Sequence, residues 1–296
     1  MIPFVRTPKE RFNRLPNYQF EENYIDIDGL RMHYVDEGPA DTDPILMLHG
    51  EPTWSYLYRH MIPICAAAGH RVIAPDLIGF GKSDKPTNIK DYSYQSHVAW
   101  VLSLVNKLDL KNITLVCQDW GSLIGLRLAA ENQDRFKAIV VGNGGLPTGE
   151  ETIPKAFKLW LAFAMHSPWF PIARIVDSAS FKSLSKDERK AYNAPFPSGK
   201  YKVGTRAFPA LVPVSPDNPA SNANKAAWKV LEKWDKPFLT TFSNGDPIFR
   251  GGDKVFHKRV PGTKGMNRQT LVGGHFLQED SGTEFAQAIN KLLKNI

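Results

Sequence analysis

Six short and almost unbroken apolar runs, at residues 45–48, 72–74, 113–117, 138–141, 238–242 and 270–272, restrict the folds open to this chain more than any other feature. A strand that alternates apolar and polar residues leaves one face to water. A continuous run implies burial on both faces, the condition of strands inside a parallel sheet. Parallel neighbours need long crossover connections, and the segments between the runs have helix length and helix periodicity, as at 98–108 and 122–130. The chain is therefore predicted to be an α/β protein with a mostly parallel, doubly wound sheet. Residues 24–35 alternate around Asp28 and Gly29, the pattern of an antiparallel hairpin. Phe285, Ile289, Leu292 and Leu293 mark one face of a closing helix.

The alternation breaks between about residues 147 and 225, where Pro and aromatic residues are frequent and no buried-strand run occurs. This stretch is predicted to be an inserted helical cap (147–225) on a core made of residues 1–146 and 226–296. Open α/β sheets hold ligands at the carboxyl ends of their strands, and Trp160, Phe163, Trp169, Phe170, Tyr192, Phe196 and Phe208 are expected to line the cap there. The 296 residues, 42% of them hydrophobic, suffice for one sizeable core. A net charge of +7 is spread along the chain without a dense block, which speaks for solubility and against a nucleic-acid partner. Cys65 and Cys117 fall in segments that read as buried helix and buried strand, so a reducing compartment is expected. The first residues lack an apolar signal core, and no apolar run nears the roughly 20 residues of a membrane span. A cytoplasmic protein without membrane contact, acting as a monomer, is the expectation.

The chemistry centres on Leu115-Val116-Cys117-Gln118-Asp119-Trp120-Gly121-Ser122, an apolar strand passing through small residues into a helix. This resembles the nucleophile elbow of the α/β-hydrolase fold, where a strained turn needs small neighbours; Cys117, Gly121 and Ser122 supply them. Asp119 holds the apex. A carboxylate nucleophile attacks without giving up a proton and forms an ester on itself that water must later cleave. The alternative role for Asp119 is to cap the helix that follows.

Two further residues come in the order nucleophile, acid, base that this fold requires. Asp246 lies in the Asn-Gly-Asp-Pro turn after the run 238–242, and His275 follows Gly273-Gly274 after the run 270–272. Taken singly, the first is a turn former and the second a structural histidine. Together, at the ends of three strands, they form a set in which His275 activates water and Asp246 holds its tautomer. His49-Gly50-Glu51-Pro52 follows the first run, where backbone N–H groups build an oxyanion hole. His49 itself is expected to bond to backbone.

His49-Gly50-Glu51-Pro52-Thr53-Trp54, Asp76-Leu77-Ile78-Gly79-Phe80-Gly81-Lys82-Ser83-Asp84, Gln118-Asp119-Trp120-Gly121 and Ala194-Pro195-Phe196-Pro197 together resemble the haloalkane dehalogenases over nearly the whole core and part of the cap. The resemblance is to the subfamily with two halide-binding tryptophans, because Glu51 stands where the other subfamily has an Asn. It implies Trp120 and Trp160 as halide ligands, Glu51 as a residue that positions water, and Phe157, Phe208 and Pro209 as halide-pocket residues. An indole offers one N–H donor on a rigid apolar plate, suited to a large, weakly hydrated anion. The implied substrate is a small haloalkane and the product a halide ion. No metal cluster or phosphate loop is seen in the sequence, so neither metal nor cofactor is expected.

Epoxide hydrolases share the Asp nucleophile, the following Trp and the His-Gly-x-Pro element. They use cap tyrosines as proton donors, for which Tyr192 and Tyr201 are candidates. A non-catalytic binding module on the same fold is the third reading, and a serine esterase is disfavoured because Ser122 lies beyond the apex.

Overall fold

The structure is a computed structural model describing residues 2–296. Eight strands form one sheet. From edge to edge these are β10 (Gln269–Leu271), β9 (Phe238–Ser243), β8 (Phe136–Gly142), β7 (Ile113–Gln118), β4 (Pro44–Leu48), β5 (Arg71–Pro75), β3 (Leu30–Glu37) and β2 (Asn23–Ile27). Every pair from β10 to β5 is parallel, and β3 runs antiparallel to both β5 and β2. The short strands β1 (Phe4–Val5) and β6 (Lys85–Pro86) pair with each other outside this sheet. The β2–β3 hairpin turns at Asp28 and Gly29, both at positive φ (54° and 82°), as a two-residue type I′ turn demands.

The unbroken apolar runs are explained by two packed layers. Along β4, Ile45 and Met47 face one cluster while Leu46 and Leu48 face the other. α1 (Ile62–Ala67) and α10 (Leu277–Leu293) cover the first side; α2 (Tyr94–Lys107) and α3 (Trp120–Glu131) cover the second. The expected face of Phe285, Ile289, Leu292 and Leu293 is buried in that first layer. β10 departs from the expectation for a doubly buried strand. It is the sheet edge, Thr270 is exposed, and Val272 beyond it is 65% exposed.

Between β8 and β9 the chain forms α4 (Lys155–His166), α5 (Ile172–Ser178), α6 (Lys186–Asn193), α7 (Val203–Leu211) and α8 (Ser221–Leu231) in succession, and α9 (Asp253–Arg259) follows β9. The expected boundary at residue 225 falls inside α8, which packs on α3. α6 is held to the sheet side by a buried cluster. Its start is a capping box between Ser185 and Glu188, and Glu188 also accepts a 2.8 Å bond from Arg59. Arg59 in turn pairs with Glu279 of α10 at 2.5 and 2.8 Å, and Tyr192 of α6 donates to the same carboxylate. A buried pair of this kind is costly to break from one side, so it fixes where α6 sits.

Candidate active site

Asp119 occupies the single residue between β7 and α3, at φ 49° and ψ −125°. Backbone in this region costs a non-glycine residue about 1–3 kcal/mol and persists only where the surroundings enforce it. They do so here. Asp119 N–H donates to the Asn143 carbonyl (3.0 Å), and its own carbonyl accepts from Ser122 N–H (2.9 Å) and the Ser122 hydroxyl (2.6 Å). A Cβ on Gly121 would stand 1.9 Å from the Leu48 carbonyl oxygen, so only glycine allows α3 this close to β4. The Asp119 side chain makes no helix-capping bond. Its Oδ1 accepts the Glu51 backbone N–H at 2.8 Å, and its Oδ2 lies 3.6 Å from His275 Nε2. A Cβ on Gly50 would sit 2.5 Å from that Oδ1, so Gly50 too is required by the carboxylate.

His275 and Asp246 meet as the chain order implied. His275 Nδ1 donates to Asp246 Oδ2 at 2.9 Å. Asp246 is fully buried, and its Oδ1 accepts the Ile248 N–H at 2.7 Å. Burial works against its charge, but the His275 imidazole and the Ile248 and Phe249 N–H groups outweigh it and hold Asp246 below the usual carboxylate range. Burial likewise opposes a charged His275, yet Asp246 and Asp119 together raise it to about 10. The ring is stacked by Phe249 (centroids 5.9 Å) and met edge-on by Phe276 (4.7 Å). Its backbone N–H donates to the Ala179 carbonyl at 2.7 Å, and a Cβ on Gly274 would collide with that same oxygen. The base loop and the segment after α5 thus touch backbone to backbone.

Glu51 is 4% exposed, and its Oε1 has no hydrogen-bond partner within the protein. Burial, and then the neighbouring Asp119 carboxylate, push its carboxyl well above the ordinary range. His49 does bond to backbone: Nε2 accepts from Leu77 N–H (3.0 Å) and Nδ1 donates to the Gly50 carbonyl (2.9 Å).

These groups open into a cavity of about 500 Å³, well within the usual range for small-ligand sites. Glu51, Asp119, Trp120, His275, Phe157, Trp160 and Pro209 line it. Trp120 is wedged against Tyr94 (5.3 Å) and Phe208 (4.5 Å), and Trp160 on α4 against Phe163 (5.8 Å) and Phe170 (5.7 Å). Phe208 does not reach the cavity. Its ring is buried behind Trp120, between Phe80 (4.7 Å) and His97 (4.4 Å), because one residue along α7 is a turn of about 100° and Pro209 takes the cavity side. Among the other cap aromatics, Trp169 is 58% exposed under Arg174, and Phe163, Phe170, Tyr192 and Phe196 pack away from the cavity. Neither Tyr192 nor Tyr201 is in its wall.

Two residues escaped the sequence reading. Asn143 donates to Ser243 Oγ and to the Gly274 and His275 carbonyls, each at 2.9 Å, while its carbonyl holds Asp119. It links nucleophile and base through one residue, the backbone carbonyl on the nucleophile side and the side-chain amide on the base side. Gln118 places its amide nitrogen 3.2 Å from both His275 Nε2 and the His275 carbonyl. The available signal was positional, since both are polar residues closing otherwise apolar strands at the carboxyl edge of the sheet.

Cys65 and Cys117 are buried and unpaired. Among the described residues no helix is long and apolar enough to cross a membrane.

A family model described as alpha/beta hydrolase fold matches residues 43–174. The chain is 54% identical over 97% of each chain to a haloalkane dehalogenase of Psychrobacter cryohalolentis. It is 52% identical to one of Mycobacterium marinum, over 96% of this chain and 98% of that one. Among solved structures it is similar to the tetrameric haloalkane dehalogenase of Paraglaciecola agarilytica NO2, with a TM-score of 0.91 and 38% identity over 97% of each chain. With an Asp at the elbow, the ordered acid and base, and likeness at this level over almost its full length, the chain belongs to the haloalkane dehalogenase family.

Proposed function

We propose that this protein hydrolyses haloalkanes to alcohol and halide in two steps. In the first, an Asp119 carboxylate oxygen attacks the halogen-bearing carbon; the new C–O bond takes the place of the carbon–halogen bond, and halide leaves with the bonding pair. Trp120 and Trp160 receive the halide with their indole N–H groups, and the Glu51 backbone N–H steadies the other Asp119 oxygen. In the second, His275 takes a proton from water whose oxygen attacks the ester carbonyl. Collapse of that intermediate expels the alkoxide, which takes the proton from His275 and leaves as the alcohol; the proton remaining on the Asp119 carboxyl is lost to solvent, which restores the carboxylate. Asp246 holds the imidazole in the tautomer with Nε2 free to act as base. Glu51, a wall residue of the same cavity, positions the water.

The observation that carries this reading is that Trp120 and Trp160 line the cavity containing Asp119, whereas Tyr192 and Tyr201 do not. Epoxide opening needs an O–H donor at the departing oxygen, and Tyr192 donates to Glu279 instead. Halide release and acidification with 1,2-dibromoethane, run beside styrene oxide, tests it. Bromide from the first and no diol from the second is expected; the reverse would make the protein an epoxide hydrolase.

Residues 147–225 act as the cap, supplying Phe157, Trp160 and Pro209 to the pocket. Every group named comes from one chain, which supports a monomer as the active unit. Because the Paraglaciecola relative is described as tetrameric, light scattering on the active fraction is the check. The two free thiols support a cytoplasmic location.

A further inference from the structure

One buried carboxylate ties the loop that carries His275 to the cap. Asp280, in the first turn of α10, is 5% exposed. Its Oδ1 accepts the backbone N–H groups of Phe181 (2.9 Å) and Lys182 (2.8 Å), and its Oδ2 accepts the N–H of Gly274, next to His275, at 2.7 Å. α10 breaks at Ser281 (φ −139°, ψ 38°), and the Ser281 hydroxyl donates to the Val272 carbonyl at 2.7 Å. The base loop is therefore held on both sides of Gly273. Phe181 and Lys182 lie in the irregular stretch after α5, within the cap. The same stretch supplies the Ala179 carbonyl that accepts the His275 N–H. The Phe181 ring, in turn, lies where a Cβ on Gly245 would collide with it, one residue before Asp246. Residues 179–182 thus touch the loops of both base and acid.

Hydrogen bonds from N–H groups to a carboxylate are roughly twice as strong as neutral ones, and three of them converge here on one side chain. Two come from the cap and one from the base loop, so neither segment can shift without breaking bonds to the other. The nucleophile is held separately. Asp119 bonds to the Asn143 carbonyl and to the Glu51 N–H, and Asp280 touches neither. We propose that Asp280 is a positioning residue that locks residues 179–182 of the cap to the base loop, so that the seating of the cap sets the aim of His275 during ester hydrolysis and leaves alkylation of Asp119 unaffected. This rests on the two-step dehalogenase reading above.

Asp280→Asn keeps the shape and one acceptor oxygen but turns an amide NH2 towards N–H donors. Misplacing a catalytic group by about 1 Å costs on the order of 100-fold, so rapid-quench measurements with 1,2-dibromoethane should show ester hydrolysis slowed on that scale while the first-turnover burst of bromide stays within about threefold. Alkylated protein should accumulate. Amide exchange in the unaltered protein provides a test that does not need the variant to fold. Phe181 and Lys182 are exposed, yet their N–H groups should be protected and should exchange at the same rate as those of Gly274 and His275, as one opening unit. Equal slowing of both chemical steps, slowing of neither, or fast exchange at Phe181 and Lys182 would each overturn the clamp alone. An unaltered protein that releases no bromide would overturn the dehalogenase reading and this inference with it.

Discussion

Nε2 of His275 stands 3.6 Å from Oδ2 of Asp119, while its Nδ1 lies 2.9 Å from Oδ2 of Asp246. The imidazole is thus held between two carboxylates, which overcome burial and raise it to about 10. In the two-step reaction proposed above, the first step removes one of them, because an alkyl ester on Asp119 carries no charge. The base is therefore released when it is needed. In single-turnover experiments ester hydrolysis should increase with pH through an apparent pKa clearly below 10. Hydrolysis titrating at about 10 would mean that Asp119 has no hold on His275.

Glu51 offers a second test, since burial and Asp119 push its carboxyl well above the ordinary range and so towards the neutral form. Glu51→Gln keeps a neutral polar side chain and should slow ester hydrolysis by less than about tenfold, the scale of one neutral hydrogen bond. Glu51→Leu removes the contact to water and should cost on the order of 100-fold. Equal losses in rapid-quench measurements would show that an ionised carboxylate is required.

The two tryptophans predict halide affinity. A hydrogen bond to a charged group contributes about 1.5–3 kcal/mol, so Trp120→Phe and Trp160→Phe should each weaken bromide binding roughly tenfold to 100-fold. Quenching of the remaining tryptophan fluorescence by bromide measures this. Unchanged quenching in Trp160→Phe would remove that residue from the halide site while leaving Trp120 in it.

How far the sequence carries can be seen from individual residues. β4 and β7 were legible because burial on both faces leaves a continuous apolar run, and Asp119, Asp246 and His275 because each sits just past such a run. The same rule overstated β10: Val272 is apolar yet 65% exposed, since an edge strand has one neighbour and apolarity alone does not reveal which strand is last. In the cap, helical phase decided what sequence could not. Pro209 and Phe208 are adjacent, and only one reaches the cavity. Asn143 went unread because its work is done through backbone carbonyls of Gly274 and His275, more than 130 residues away, which the sequence does not bring together.

The central claim is that Asp119 is alkylated and that His275 is needed only to free it. His275→Gln should remain able to displace halide once per molecule and then stop. Intact-mass measurement of this variant after incubation with 1-bromobutane, followed by peptide mapping, tests this most directly. The account predicts one butyl adduct, located on Asp119, with one equivalent of bromide released. A variant that releases no bromide and carries no adduct, or an adduct mapped to a different residue, would contradict it.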